Sequence, residues 1–380
     1  MEQSVSNLIY QETNPYGSMT AFLEDDGRTV YLYLQSEFNP ELKMKALWIK
    51  NRISSPESRN ESDLKLGLAP LLCKGEVTSD MTEEEIRKED VHLIWTEEGD
   101  GLGLFWKEKL TAFLPPWSGL KGIHGYSKYA AIDSITASPM GDAENGGVIA
   151  DRIRASEKYW ESRSTEGNWK SVQKLRMDYL EKLLGPHKKY WSADGGKFPP
   201  LAIARFESPD YPDTVIYSTV GMSAQSMPGV ELYHKEYTKY SRIELVFAQK
   251  KGTEEDRTES WIPHALGELI KFPWMMGKWF GEGHSISIPR KDPNALYLNF
   301  THFFFTSNPP AVKTDSGLLE APCLSDLVSE NGLKVNFLFL IPVTEEEVHF
   351  SKSEGSASLL KSFTEKGFGW AHDSERESPV

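Results

Sequence analysis

The sequence predicts an α+β (mixed α/β) protein of two domains, the second a central β-sheet packed with helices. Three observations carry that expectation. The chain has 380 residues, more than one ordinary core accommodates. After the boundary region helices come first, then strands and helices mixed. The composition, 39% hydrophobic and 12% aromatic, supplies enough apolar surface for well-filled cores.

The N-terminal part reads mainly as strands. "TVYLYLQ" is β-branched and aromatic and follows "EDDGR", a turn with Asp-Gly at its tip. "MKALWIKNRI" reads as its partner. Thr82 with Glu85 three residues on has the form of a capping box, which predicts a short helix. "VHLIWTEEGDGLGLFWKEKLTAFLP" reads as strand, Asp100-Gly101 turn, strand, with a third strand left open. Gly101-Leu102-Gly103 is not a dinucleotide loop, because Trp106 stands where the third glycine belongs and no helix follows.

Small and turn-forming residues crowd "TASPMGDAENGGVIA", residues 136–150, the best boundary candidate. Two helices follow, "VIADRIRASEKYWESR" and "WKSVQKLRMDYLEKLLG". In the second, Val172, Leu175, Tyr179 and Leu183 form one apolar stripe, and Gly185-Pro186 ends it. After Pro200 strands return: "PLAIARFES", "DTVIYSTVG", "YSRIELVFAQ", "LYLNFTHFFFT" and "GLKVNFLFLIPV". The last two are apolar on both alternations, as in strands covered on both faces. "SWIPHALGELIKF" and "TEEEVHFSKSEGSASLLKSFTEKG" read as helices, the latter opened by a capping box at Thr344. The expected division is 1–140 for an N-terminal α+β domain, 141–170 for a helical linker, 171–371 for the second domain and 372–380 for a frayed tail.

The net charge of −14 argues against nucleic acid and anionic membrane as partners. Cys73 and Cys323 read as reduced core residues. The N-terminus lacks a basic segment followed by an apolar one, and no run reaches the length of a membrane span, so the expected compartment is the cytoplasm.

No catalytic constellation emerges. In "YSTVGMSAQSMPG", Gly221-Met222-Ser223-Ala224-Gln225 matches the first half of G-x-S-x-G and fails the second, and a turn rather than a helix follows. Ser223 therefore reads as a hydroxyl that saturates backbone at a strand end, with Gly221 granting an unusual φ. The nine histidines are scattered, without zinc spacing. His302, between phenylalanines, reads as structural. Glu97 and Glu98 are adjacent on a presumed strand and would face opposite sides. No cofactor and no metal is expected. Trp117 and Trp191 read as packed on the sheet.

The stretches "IYSTVGMS", "SRIELVFA", "SWIPHALGELIKFP" and "VNFLFLIPVTEEEVHFSKSEGSASLLKSF" follow one another in an order and spacing that resembles the suppressor-of-fused (SUFU) domain, its bacterial members especially. The resemblance runs from about Val172 to Trp370. The N-terminal half is similar to an extra domain that precedes the SUFU domain in some bacterial proteins. The resemblance implies a non-catalytic binding protein. In animals, suppressor of fused restrains a transcription factor; several bacterial relatives resemble immunity proteins that neutralise nuclease toxins. The implied partner is a basic toxin domain encoded nearby. The partner-binding expectation falls on Met222, Ser223, Met227 and Tyr233 after the strand, and on Glu345 and Glu346 in the acidic helix turn. The rival readings are a regulator or scaffold without a toxin, and a hydrolase with an unrecognised site in the N-terminal domain.

Overall fold

The computed structural model describes residues 6–141, 143, 146–165, 167–193, 201–251, 261–289, 299–315 and 317–380. Positions 142, 144 and 145 of the boundary stretch and 296–298 of "LYLNFTHFFFT" lie outside the described residues. Helix and strand are mixed throughout, as the sequence predicts.

The chain forms two compact units. The first comprises residues 1–164, 227–235 and 274–278. Strands β1 (Asn7–Thr13), β2 (Met19–Asp25), β3 (Thr29–Ser36) and β4 (Lys45–Asn51) make an antiparallel meander. The Asp26-Gly27 turn joins β2 to β3: Asp26 Oδ1 accepts from the backbone N–H of Arg28 and Thr29, each at 2.8 Å. β5 (Val91–Trp95), β6 (Leu102–Trp106), β7 (Lys109–Leu114), β8 (Tyr126–Ser127) and β9 (Ser138–Pro139) make a second sheet. Leu32, Leu47, Trp48, Leu102 and Leu104 are fully buried members of one shared core. Helix α1 (Glu61–Lys65) is a single turn capped by the Asn60 side chain, and α2 spans Val148–Ser164.

Two expectations fail here for physical reasons. The capping-box residues Thr82–Glu85 form no helix; only a 3-10 turn follows at Lys88–Asp90. Ile86 is the one buried side chain of residues 82–90, and Lys50 Nζ donates to the Glu84 carbonyl at 2.7 Å; one apolar contact does not offset the cost of helix nucleation. Cys73 is half-buried and Cys323 exposed, so the two free thiols are not core residues.

The second unit comprises residues 165–226, 236–273 and 279–380. Helix α3 (Asn168–Leu184) precedes β10 (His187–Ser192), β11 (Ala202–Phe206), β12 (Thr214–Val220) and β13 (Ile243–Lys250). Then come α4 (Trp261–Met276, its last turn assigned to the first unit), β14 (Ser285–Ser287), β15 (His302–Thr306), β16 (Val312–Thr314) and β17 (Gly317–Leu319). β18 (Asn336–Val343), α5 (Glu345–Glu354), α6 (Ser356–Lys366) and β19 (Ala371–His372) complete it. The central sheet runs β10-β11-β12-β13-β18-β15-β14, with β13 parallel to β18 and to β19 and the other pairs antiparallel; β16 and β17 form a separate pair.

Both faces of this sheet are covered at its centre, as the apolar strands β15 and β18 require. On one face Phe337 and Phe339 meet Leu180 and Leu184 of α3, while Phe304, Ile341 and Val343 meet Val348 of α5 and Leu359 and Phe363 of α6. On the other, Trp261 of α4 stacks on Phe303 and meets Phe247 edge-on. The buried axis of α3 is one position away from the predicted stripe. It runs Val172, Arg176, Leu180, Leu184, while Leu175, Tyr179 and Leu183 are half-buried at its flank.

Candidate functional site

The stretch that most resembles a nucleophile turn sits at the end of β12. Gly221 at φ +103° begins a 3-10 turn, Met222–Ala224, that lays Ser223 over β13. Only the left-handed region lets the chain turn so sharply there, and glycine reaches it without strain. From β13, Glu244 enters the turn. Its Oε1 accepts from the N–H of Gly221 at 3.0 Å, the N–H of Ser223 at 3.1 Å and the Ser223 hydroxyl at 2.6 Å. Its Oε2 accepts from the Thr219 hydroxyl at 2.6 Å. Helix α3 supplies the countercharge. Arg176 Nε donates to Ser223 Oγ at 2.8 Å and lies 3.3 Å from Glu244 Oε1, and its far end pairs with Glu330.

Ser223 and Glu244 are wholly buried, and Arg176 is 1% exposed. This corrects the expected role of Ser223, whose hydroxyl joins two buried charges rather than capping a nearby backbone group. Held between a carboxylate and a guanidinium and wholly buried, the Ser223 hydroxyl presents no surface to a substrate. The arrangement ties α3, β12 and β13 together.

A second polar centre lies within the first unit. Glu97 and Glu98 stand in the turn between β5 and β6, not on a strand, so the opposite-faces argument does not apply to them. Arg152 of α2 places one Nη2 at 3.0 Å from Glu98 Oε1 and 2.9 Å from Glu231 Oε1. Lys45 Nζ donates to the backbone carbonyls of Asp100 and Pro116, each at 2.9 Å. Burial pushes the Glu98 carboxyl up to about 8, outweighing the pull of Arg152, and also raises Asp100 and Glu231. Glu98 and Asp100 are 6% and 7% exposed, a geometry for holding chain segments rather than for meeting a substrate.

The expected partner-contacting residues separate by burial. Met222 and Ser223 in the second unit and Met227 in the first are buried, so their side chains offer no surface to a partner. Tyr233, in the first unit, is 71% exposed. Glu345 and Glu346 are exposed on the first turn of α5, in the second unit. The capping box is formed: the Thr344 hydroxyl accepts from the Glu347 N–H, and Glu347 Oε2 accepts from the Thr344 N–H. The helix-start N–H of Glu346 and the Thr344 hydroxyl hold the Glu346 carboxyl below the usual range. Unlike its neighbours, Glu347 turns inward and is fully buried.

Sequence reasoning missed the partner of that inward carboxylate. Arg376 places Nη1 2.6 Å from Glu347 Oε1 and Nη2 2.8 Å from Glu347 Oε2. The segment expected to fray is therefore anchored. An arginine in a polar tail carries no periodic signal, which is why it could not be read in advance.

Among the described residues, no group of three or more His, Cys, Asp or Glu could hold a metal ion, and no helix is long and apolar enough to cross a membrane.

Residues 197–377 match the family model described as Suppressor of fused protein (SUFU). The match takes in β11 to β19, and with them the Ser223 turn and the Arg376 anchor. Among solved structures, a SUFU homologue from Neisseria gonorrhoeae FA 1090 is similar at 17% identity with a TM-score of 0.37, covering 56% of this chain and 98% of its own. A Sufu-Fu complex structure is similar at 15% identity with a TM-score of 0.36, covering 54% of this chain and 91% of its own. A search of curated proteins finds no match.

Proposed function

We propose, taking the suppressor-of-fused match over residues 197–377 as the premise, that this chain is a non-catalytic protein that binds another protein and occludes its working surface. That match is the observation that carries the reading. The burial of Ser223 against Glu244 and Arg176 supports it further, because it withdraws the one serine placed like a nucleophile.

The partner we propose is a basic, nuclease-like toxin domain encoded nearby, with this chain as its immunity protein. A net charge of −14 favours a basic partner. Opposite charge speeds encounter and rejects acidic competitors, while apolar contact at the centre slows release. Glu345 and Glu346 on α5 and Tyr233 are the exposed side chains we assign to contact.

The test is co-expression of the neighbouring reading frame with and without this chain, then size exclusion and stopped-flow association at two salt concentrations. Rescue of growth, co-elution and an on-rate that falls with salt are expected. The variant carrying Glu345→Gln and Glu346→Gln is expected to associate several-fold more slowly at low salt with its fold intact. Killing that continues in the presence of the folded chain, without co-elution, overturns the toxin reading. Capture of a different, defined protein partner would then favour a regulator.

A further inference from the structure

Arg376 lies in a pocket built entirely from the body of the second unit. Beyond its two bonds to Glu347, Nη2 donates to the carbonyl of Pro342 on β18 at 2.8 Å. Three phenylalanine rings surround the guanidinium, with centroids 4.6 Å away for Phe300, 4.9 Å for Phe363 and 5.4 Å for Phe368. The side chain is 4% exposed. This combination selects arginine. A planar fork meets both carboxylate oxygens and stacks on rings at once, whereas a lysine ammonium is a single point charge. A cavity of about 20 Å³ adjoins the guanidinium, room for one water and little more.

The pocket owes little of its shape to its occupant. Phe363 belongs to the core that binds α5 and α6 to the sheet. The Glu347 carboxylate is aimed by the capping box, through the N–H of Thr344 at 2.9 Å. If Arg376 left, a buried carboxylate would remain without its countercharge, a site that takes up either a cation or a proton. The rest of the tail, by contrast, is lightly tethered. Among the described residues, the other side-chain bond from beyond His372 to the body is Asp373 to Lys250 at 2.6 Å, and Glu375, Glu377, Ser378 and Val380 are exposed.

We propose that this pocket is a recognition site for the arginine side chain of a partner polypeptide, which the chain's own Arg376 fills until the partner arrives. A tethered occupant competes at millimolar effective concentration, so a partner that adds contacts elsewhere can displace it. The inference rests on the protein-binding reading only for the supplier of the arginine. The following experiment needs no partner, so its failure leaves that reading standing.

Full-length Arg376→Ala is titrated with methylguanidinium and with the peptide Asp-Ser-Glu-Arg-Glu-Ser-Pro, reading thermal midpoint and heat of binding. The peptide is expected to bind the variant and raise its midpoint by several degrees. The same peptide with lysine for arginine is expected to bind at least tenfold more weakly. The wild-type chain, whose pocket is filled, and the double variant Arg376→Ala, Glu347→Gln are expected not to respond. Should Arg376→Ala fail to fold, Arg376→Gln, which also leaves Glu347 without a cation, takes its place. A folded variant that ignores both probes, or a wild-type chain that responds as the variant does, overturns the proposal. So does failure of both variants to fold with no rescue by methylguanidinium, which would make Arg376 a structural strut.

Discussion

Arg176 and Glu244 meet 3.3 Å apart in a fully buried setting, and the Ser223 hydroxyl bonds to both. The charges are therefore paired directly and again through a third group. Losing that group should weaken the pair without breaking it.

Ser223→Ala is expected to cost about 1.5–3 kcal/mol, the range for a hydrogen bond to a charged partner. Partner binding should be unchanged while the protein stays folded. Urea unfolding together with binding measured well below the transition checks both. Unaltered stability with binding or activity abolished would return the hydroxyl to a direct role.

Glu98 predicts a pH dependence. Its carboxyl is raised to about 8 by burial, so between the ordinary carboxylate range and that value the folded state holds a proton that the unfolded state has lost. The stability it contributes is complete below the unfolded value and is lost as pH rises through about 8. The slope approaches about 1.4 kcal/mol per pH unit for one proton. Glu98→Gln should remove that slope, making the variant relatively more stable than wild type at pH 8 than at pH 5. Urea midpoints for both proteins across pH 5–9 give the difference directly. Parallel curves would mean that Glu98 is ionised in the native protein.

Gly103 separates packing from ligand binding. A Cβ built there would lie 2.5 Å from Ile153 Cδ1, so side-chain packing within the first unit fills the space above this glycine. Gly103→Ala should cost about 1–3 kcal/mol by overpacking. Because the clashing atom is the end of a side chain, Ile153→Val in the same molecule should return part of that loss. Strict additivity of the two changes in a double-mutant cycle would show that the residues do not meet.

The fold was legible where period and burial agree. The strands β15 and β18 are apolar on both alternations because both faces of the sheet are covered. The capping box at Thr344 formed because an apolar helix face follows it; the one at Thr82 has only Ile86 behind it and did not. The buried charges were not legible. Arg176 lies among apolar neighbours on α3, and Glu244 reads as a solvent-facing position on a strand. Their need for each other appears only when α3 crosses the sheet. Arg152 and Glu231 are far apart in sequence, and no spacing rule links them.

The same concealment governs the partner-facing residues. Met222, Ser223 and Met227 were attractive in sequence because they follow a strand in a turn-rich stretch. Around Met222 and Ser223 the chain turns inward where Glu244 accepts from the N–H groups of Gly221 and Ser223, and Met227 is buried in the first unit. Exposure, which decides whether a side chain can meet another protein, is set by contacts that local sequence does not encode.

The first unit is discontinuous along the chain, and this orders events during synthesis. The Ser18 hydroxyl donates to the carbonyl of Trp274 at 2.7 Å, Asn39 Nδ2 donates to that of Met276 at 2.7 Å, and Arg152 pairs with Glu231. A ribosome that has translated only residues 1–164 has made both sheets of this unit but none of those three acceptors. Its N-terminal half must wait, incompletely bonded, until residue 278 has left the exit tunnel, some 114 residues later by subtraction of the two segment ends. At about 5–20 residues per second that interval lasts roughly 6–20 s. During it the half-made unit exposes apolar surface and unpaired polar groups that those later segments cover in the finished protein.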